Sequence, residues 1–384
     1  MSGIAMKKTV WTAIFVIVFL AGSQVAAQRN GFMIQSTRSV GMGGTGVALV
    51  GPDNTVFLNP ALLTEIDRTF IRLVEVQAMV NGNTFKHYGF YEDHQNEFEN
   101  FDDLSTAERT QFYSDMLDAA RDETVFGFQG MAPLSIVRPG FSAGVFERAT
   151  VKYDMREGAS SLPLIQADAV AEGEIIVGGA STIDTFFGKA LSFGGNAKFL
   201  YRTVAIESKT APALETMDNV HVYRGWTMAF DAGLLMKTGR WSFGAGFYDF
   251  NYPKIRWHTG EEPPEGFRRP DGTVDGSMRI GVAYDSSFEV PGLLDRLKLA
   301  FDVESPTSSD MSIYKKLLFG AEARFANAML LRAGLHQGYP TAGLGVMFKI
   351  VKFEYAFSGE ALGMYPGQLE TWNHYISVGL GWGY

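Results

Sequence analysis

The sequence predicts an all-β fold, an antiparallel transmembrane β-barrel of about 14 strands. Three observations predict it. Segments alternate apolar and polar side chains with period 2, the pattern of strands whose faces meet different surroundings. Short and long connections follow one another along the chain, as turns and loops do at the two ends of a membrane barrel. Composition agrees: 13% aromatic and 20% charged residues, with 43 glycines and 30 phenylalanines, suit an aromatic, apolar outer face and a small, polar inner one. Cysteine is absent, which excludes disulfides, thiolate metal sites and a lipidated N-terminal cysteine.

The final stretch shows the alternation most cleanly. Ile376, Val378, Leu380, Trp382 and Tyr384 fall on one face, and Tyr375, Ser377, Gly379, Gly381 and Gly383 on the other. Upstream, Leu191, Phe193, Phe199 and Tyr201 alternate with Ser192, Asn196, Lys198 and Arg202; Leu297, Leu299, Phe301 and Val303 with Lys298, Ala300 and Asp302; Val351, Phe353, Tyr355 and Phe357 with Lys352, Glu354 and Ala356. In a soluble sandwich the polar face would meet water, whereas in an outer-membrane barrel it meets the lumen.

Connection lengths separate the two. Tight connections at 137–140, 186–189, 238–240, 326–328 and 349–350, with a longer one at 289–296, alternate with polar segments near 81–123, 154–171, 207–221, 251–275, 304–314, 337–340 and 358–372. The strands between them lie near 69–80, 124–136, 140–153, 172–184, 190–206, 222–237, 240–250, 276–288, 294–303, 315–325, 328–336, 341–348, 350–357 and 373–384. Most have about the 9 to 11 residues that a tilted strand needs to cross a membrane, and the even number suits a bacterial barrel.

Residues 1–27 are expected to be a cleaved signal peptide. Lys7 and Lys8 precede an apolar run from Trp11 to Ala21, and Val25-Ala26-Ala27 is a small-residue cleavage site. The run is short of the ~20 residues of a spanning helix. Removing the two lysines takes the formal charge from −9 to −11, an acidic balance that argues against a nucleic-acid partner. Next comes Gly41-Met42-Gly43-Gly44-Thr45-Gly46, a literal match to the G-x-G-x-x-G dinucleotide fingerprint. That motif needs a preceding strand and a following helix. Here an export signal precedes it and a Gly-Pro-Asp-Asn turn follows, so the glycines are expected to serve another purpose.

Arg38-Ser39-Val40-Gly41-Met42-Gly43-Gly44-Thr45-Gly46-Val47-Ala48, followed by Phe57-Leu58-Asn59-Pro60-Ala61 just before the first strand, resembles the long-chain fatty-acid transporter (FadL-like) superfamily of outer-membrane proteins. The resemblance implies a 14-stranded barrel with the N-terminal segment, residues 28–68, folded inside it as a hatch and residues 69–384 as the barrel. Its better-known members move hydrophobic molecules inward. The resemblance makes Arg38, Gly41, Gly43, Gly44, Gly46, Asn59, Pro60 and Ala61 the hatch motif, with Asn59 capping or hydrogen-bonding the hatch's exit. It also makes Trp382 and Tyr384 the signal read by the barrel-assembly machinery. Gly338-Tyr339-Pro340-Thr341-Ala342-Gly343-Leu344-Gly345, then Phe353-Glu354-Tyr355-Ala356-Phe357 and Leu362-Gly363, is similar to the PorV-like branch, in which the barrel is linked to type IX protein secretion.

Catalytic chemistry finds no footing. His87, His94, His221, His258, His336 and His374 are scattered without metal-ligand spacing, and no nucleophile elbow is present. No enzyme activity, metal or cofactor is expected. Alternation points Lys198, Arg202, Arg279, Lys298, Asp302, Glu322, Arg324, Arg332, Lys352 and Glu354 inward. These form either an ion-pair network that holds the hatch, or, through Lys198, Arg202, Arg279, Arg324 or Arg332, a clamp for a ligand carboxylate. One helix is expected in the first external loop, near 104–122, with Ser105 and Glu108 as a capping box and Phe112 and Met116 on one face. It either covers the mouth or forms a landing groove for an apolar ligand. The expected function is passage of hydrophobic, fatty-acid-like molecules through the outer membrane of a Gram-negative bacterium, with outer-membrane lipid as surroundings. The alternative is docking of secreted proteins or a secretion translocon.

Overall fold

The computed structural model describes residues 35–383, except 121–125, 158–162, 185–189, 211–220, 260–271, 287, 291–293, 308–311, 327 and 362–369. The expected signal peptide, Leu362-Gly363 and Tyr384 lie outside the described residues. Alternating side chains produce a single antiparallel sheet that closes on itself. Its strands are β1 (Phe70–Asn81), β2 (Phe126–Arg138), β3 (Phe141–Glu157), β4 (Pro163–Asp184), β5 (Ala190–Thr210), β6 (His221–Thr238), β7 (Trp241–Tyr248), β8 (Arg256–Thr259), β9 (Ser277–Ser286), β10 (Leu294–Glu304), β11 (Leu317–Phe325), β12 (Met329–His336), β13 (Tyr339–Phe348), β14 (Val351–Ala361) and β15 (Glu370–Trp382). Apart from β8, consecutive strands pair, β7 pairs with β9, and β1 pairs with β15 to close the ring. Short β8 stands outside this order and pairs only with the upper part of β6, from Arg224 to Trp226, leaving a barrel of 14 strands.

The two faces differ as the alternation requires. On β15, Ile376, Val378, Leu380 and Trp382 are 39–48% exposed, while Ser377 between them is fully buried. Leu134, Val145, Ile175, Phe199, Leu234, Phe319 and Phe353 continue this exposed apolar surface around the wall, as a hydrocarbon-facing band must. Polar and charged residues on the other face are buried inside.

One departure from strict alternation matters. Arg72 and Glu75 are three residues apart, so an unbroken strand would aim them to opposite sides. A bulge at Leu73, where the register with β15 shifts between Arg72 and Val74, turns both inward and leaves Leu73 and Val74 both exposed.

Two expectations about the connections are corrected. The segment 154–171 is mostly strand: β3 runs to Glu157 and β4 starts at Pro163, paired residue by residue beyond the apolar band. These residues look like a loop in sequence because Gly158, Pro163 and the adjacent Leu164-Ile165 interrupt the period-2 alternation. The first external loop, expected to hold one helix, holds α3 (Asn83–Asp93), α4 (Gln95–Glu99) and α5 (Thr106–Ala120). α5 opens with the expected box, Ser105 N donating to Glu108 Oε2 at 2.7 Å and Glu108 N to Ser105 Oγ at 3.4 Å. Those bonds hold the exposed Glu108 carboxyl below its usual range. The N-terminal segment carries two more helices, α1 (Thr37–Gly41) and α2 (Pro52–Phe57), and a 3-10 turn over Pro60–Glu65. No described helix is long and apolar enough to cross a membrane.

Candidate functional site

The lumen is filled by residues 36–66, whose backbone is short of regular partners and is satisfied by side chains of the wall. Ser36 Oγ caps α1 by accepting from Ser39 N. After α1 the chain turns sharply at Gly43 and Gly44, with φ of +66° and +82°, conformations that glycine adopts without strain. The turned backbone is gripped from several strands. Thr341 Oγ1 donates to Gly41 O at 3.2 Å, His336 Nδ1 lies 3.3 Å from Gly43 O, and Arg279 Nη1 donates to Gly44 O.

Gly46 N and Val47 N both donate to one oxygen of Asp302, at 2.8 and 3.0 Å. The paired amides that a phosphate would need are therefore occupied by a carboxylate of the barrel wall, which explains why the fingerprint appears here without a nucleotide fold. Further on, Asn196 Nδ2 donates to Val56 O and Tyr248 OH to Leu58 O, at 2.9 and 2.6 Å. Gly140 N, in the β2–β3 turn, donates to Leu63 O at 2.9 Å.

Asn59 sits at the exit. Its Oδ1 accepts from Ala61 N at 3.0 Å, capping the 3-10 turn that Pro60 begins, and its Nδ2 donates to Val47 O at 2.7 Å and to Leu234 O of the wall at 2.9 Å. One fully buried side chain thus joins the start of the segment, its end and β6.

Such close approach requires a wall without side chains at the contacts. A Cβ on Gly194, Gly233, Gly244, Gly246, Gly320 or Gly334 would come within 3.0 Å of Pro60, Asn59, Val47, Leu58, Met42 or Gly43 respectively. Gly41 lies against Gly343 in the same manner. The inward glycines of the strands are therefore the mould into which the glycine-rich segment fits, a partnership that the motif by itself does not reveal.

A buried ion network links the segment to the wall. Arg38 binds Glu322 with both ends of its guanidinium, at 2.7 and 2.8 Å. Arg332 bridges Glu322 to Glu354, each at 2.9 Å. Lys352 lies 3.0 Å from Glu354 and 3.2 Å from Glu75, and Arg72 joins Glu75 to Asp53 of α2. In these contacts four cations face four carboxylates, and Lys298, in register opposite Glu322, adds a further positive charge beside them. The bulge in β1 is what brings Arg72 and Glu75 into it.

The other expected lumen residues are placed as follows. Lys198 contacts Asp231 at 2.7 Å and Asp249 at 2.5 Å; Arg202 binds Glu172 at 2.8 Å, beside Arg148 on the same carboxylate; Arg279 binds Glu304 at 2.9 Å. Arg324 is half-buried on the inner side of β11 near its short turn. Phe112 and Met116 are buried inside the loop cap, packed with Phe90, Phe98, Phe101 and Tyr113. Trp382 stands on the outer face at the end of β15, 48% exposed. Among the described residues no cluster of His, Asp and Glu is arranged to hold a metal ion.

The wall has one marked irregularity next to this site. β1 and β2 pair at Arg72 with Ser135 and again at Gln77 with Met131, but the register shifts between them. Pro133, which has no N–H to give, lies in that interval.

No protein-family model matches the chain, and no curated protein matches it in sequence. Among solved structures it is similar to a TodX deltaS2S3 mutant monoaromatic hydrocarbon channel, with 13% identity, a TM-score of 0.50, and 91% of this chain and 98% of that chain covered. It is also similar to the Pseudomonas putida toluene transporter TodX (11% identity, TM-score 0.49, 91% and 98% covered) and the Ralstonia pickettii toluene transporter TbuX (11%, 0.46, 93% and 100%). With an exposed apolar band, a closed ring of 14 strands and an N-terminal segment inside it, the chain has the fold of that TodX channel.

Proposed function

We propose that this protein passes hydrophobic small molecules through the outer membrane, with residues 36–66 as the hatch that gates them. The observation that carries the proposal is the hatch itself: it is moulded to wall glycines and held by wall side chains, so the lumen is not an open aqueous pore for hydrophilic solutes. The neighbours of matching fold carry hydrocarbon and toluene, which supports an apolar cargo and a channel rather than an enzyme.

Neutral cargo suits the lumen better than carboxylates. Lys198, Arg202, Arg279 and Arg332 each already contact a protein carboxylate, so a fatty-acid head group would have to displace one. Cargo enters beside the helical cap, passes as the hatch shifts as a unit, and leaves where the β1–β2 register is interrupted. Nothing among the described residues specifically favours the secretion-docking alternative.

The test is uptake by cells with and without the protein, using a labelled monoaromatic hydrocarbon, a labelled long-chain fatty acid and a labelled sugar. The expected order is hydrocarbon first, fatty acid second, and sugar at background. Equal uptake of hydrocarbon and fatty acid with and without correctly inserted protein would overturn the proposal.

A further inference from the structure

The outer wall carries a shallow, open hollow across β7 and β9–β12. Residue pairing explains its shape. One outward row across the sheet reads Trp241, Tyr284, Leu299, Ala321, Ala333 and Ala342, each beside the next in register. The row above it reads Val282, Phe301, Phe319 and Leu335. Large side chains in the second row and alanines in the first leave a trough in an otherwise bulky band.

The alanines are not explained from inside. Gly320 and Gly334 are small because the hatch lies against their inner face, but Ala321 and Ala333 alternate with them and point outward. The trough's surroundings are exposed apolar groups: Leu299, Phe319 and Leu335 are 43–45% exposed. In a membrane barrel that face meets hydrocarbon.

The position also selects the leaflet. Trp241 begins β7 directly after the tight turn at Gly239, and Tyr284 lies near the end of β9 at the same rim, their rings 4.7 Å apart. Tight turns mark the periplasmic end of such a barrel, and Trp and Tyr sit at the head-group level. Exposed Arg240 and Arg296 stand at this rim, Arg296 bound to Asp285, where a phosphate head group would lie.

We infer that the trough between the alanine row and Phe301, Phe319 and Leu335 is a binding site for one acyl chain of a periplasmic-leaflet phospholipid. The head group sits beside Trp241 and Tyr284, and the chain runs toward mid-wall over Ala321 and Ala333. This site is separate from the lumen and does not depend on the transport reading.

The test uses the full-length barrel in vesicles of phosphatidylethanolamine and phosphatidylglycerol that contain a phospholipid with a photoactivatable diazirine in its acyl chain. After illumination, adducts are mapped by peptide mass spectrometry. The inference predicts adducts concentrated on β10–β12 near Leu299, Phe319 and Leu335, lost in Ala321→Phe and Ala333→Phe, which fill the trough from the lipid side. Val145→Phe, on the exposed face of β3, should leave the concentration intact and serves as the control for folding. Adducts spread evenly around the barrel, or unchanged by filling the trough, would overturn the site. A concentration that appears only with lipopolysaccharide in the opposite leaflet would overturn the assigned source.

Discussion

Asn59→Ala is the substitution whose effect follows most directly from the geometry. It removes three hydrogen bonds of a fully buried side chain, to Ala61 N, Val47 O and Leu234 O. At about 1 kcal/mol net for each, the hatch loses about 3 kcal/mol of its attachment. Because 1.4 kcal/mol is tenfold in an equilibrium constant, the displaced hatch should become roughly a hundredfold more populated. The barrel strands lose only one of these partners, the Leu234 carbonyl, so the ring itself should persist. Hydrogen exchange measured peptide by peptide reads this directly: amides of residues 37–65 should exchange much faster in the variant, while those of β11–β15 stay as in the wild type. Single-channel recordings should show open events that the wild type lacks. Unchanged exchange over 37–65, in a barrel that still shifts mobility on heating, would mean that Asn59 does not hold the hatch.

Three further outcomes are expected. Gly334→Ala places a Cβ 2.6 Å from Gly43 N, so it should loosen the hatch or impair assembly, whereas Gly173→Ala, which meets nothing within 4 Å, should be silent in the same exchange assay. Arg38→Gln leaves Glu322 with one fewer cation in a buried network and should weaken hatch attachment by about 3–5 kcal/mol; Arg38→Gln with Glu322→Gln should recover part of that loss, read as a double-mutant cycle of exchange free energies. Phe112→Ala removes the centre of the cap's aromatic cluster and should cost the cap about 3–5 kcal/mol, visible as protease cleavage within 83–120 while the heat-dependent gel mobility of the barrel is unchanged.

The barrel was legible because its signal is repeated. Each strand offers a few alternating residues, and runs such as Ile376 to Trp382 carry the pattern without interruption. What stayed hidden depends on contacts between distant strands. The bulge at Leu73 cannot be read from β1 alone, because its cause is the three-residue spacing of Arg72 and Glu75 together with Lys352 and Asp53 on other elements. Inward charges could be enumerated by alternation, but their partners follow from how strands stagger around the ring, so Arg332 joining Glu322 to Glu354 was not readable.

The same limit explains the loops and the site. In 154–171, Gly158, Pro163 and the adjacent Leu164-Ile165 interrupt the period-2 pattern, which makes the stretch look unstructured. α3 and α4 owe their shape to the packing of Phe90 and Phe98 against Phe112, a contact invisible in local sequence. The glycine motif identified the important stretch, and Asn59 was readable as a cap, but Asp302 as the group held by the Gly46 and Val47 amides needed the fold. The wall glycines that receive the hatch carry no local signal at all, since an inward glycine and an idle one look alike in a strand.

If the hatch gates apolar cargo, fixing it to the wall must stop passage, and a chain without cysteine allows this to be done with a single engineered disulfide. Thr64 Oγ1 and Ser192 Oγ lie 2.9 Å apart, joining the hatch to β5, so Thr64→Cys with Ser192→Cys places two sulfurs at this contact. Uptake of a labelled monoaromatic hydrocarbon is then measured in cells carrying this variant, oxidised and after reduction. Uptake should fall to near background when the bond is closed and return to the wild-type level when it is reduced. Equal uptake in both states, with the bond shown to be formed, would contradict it.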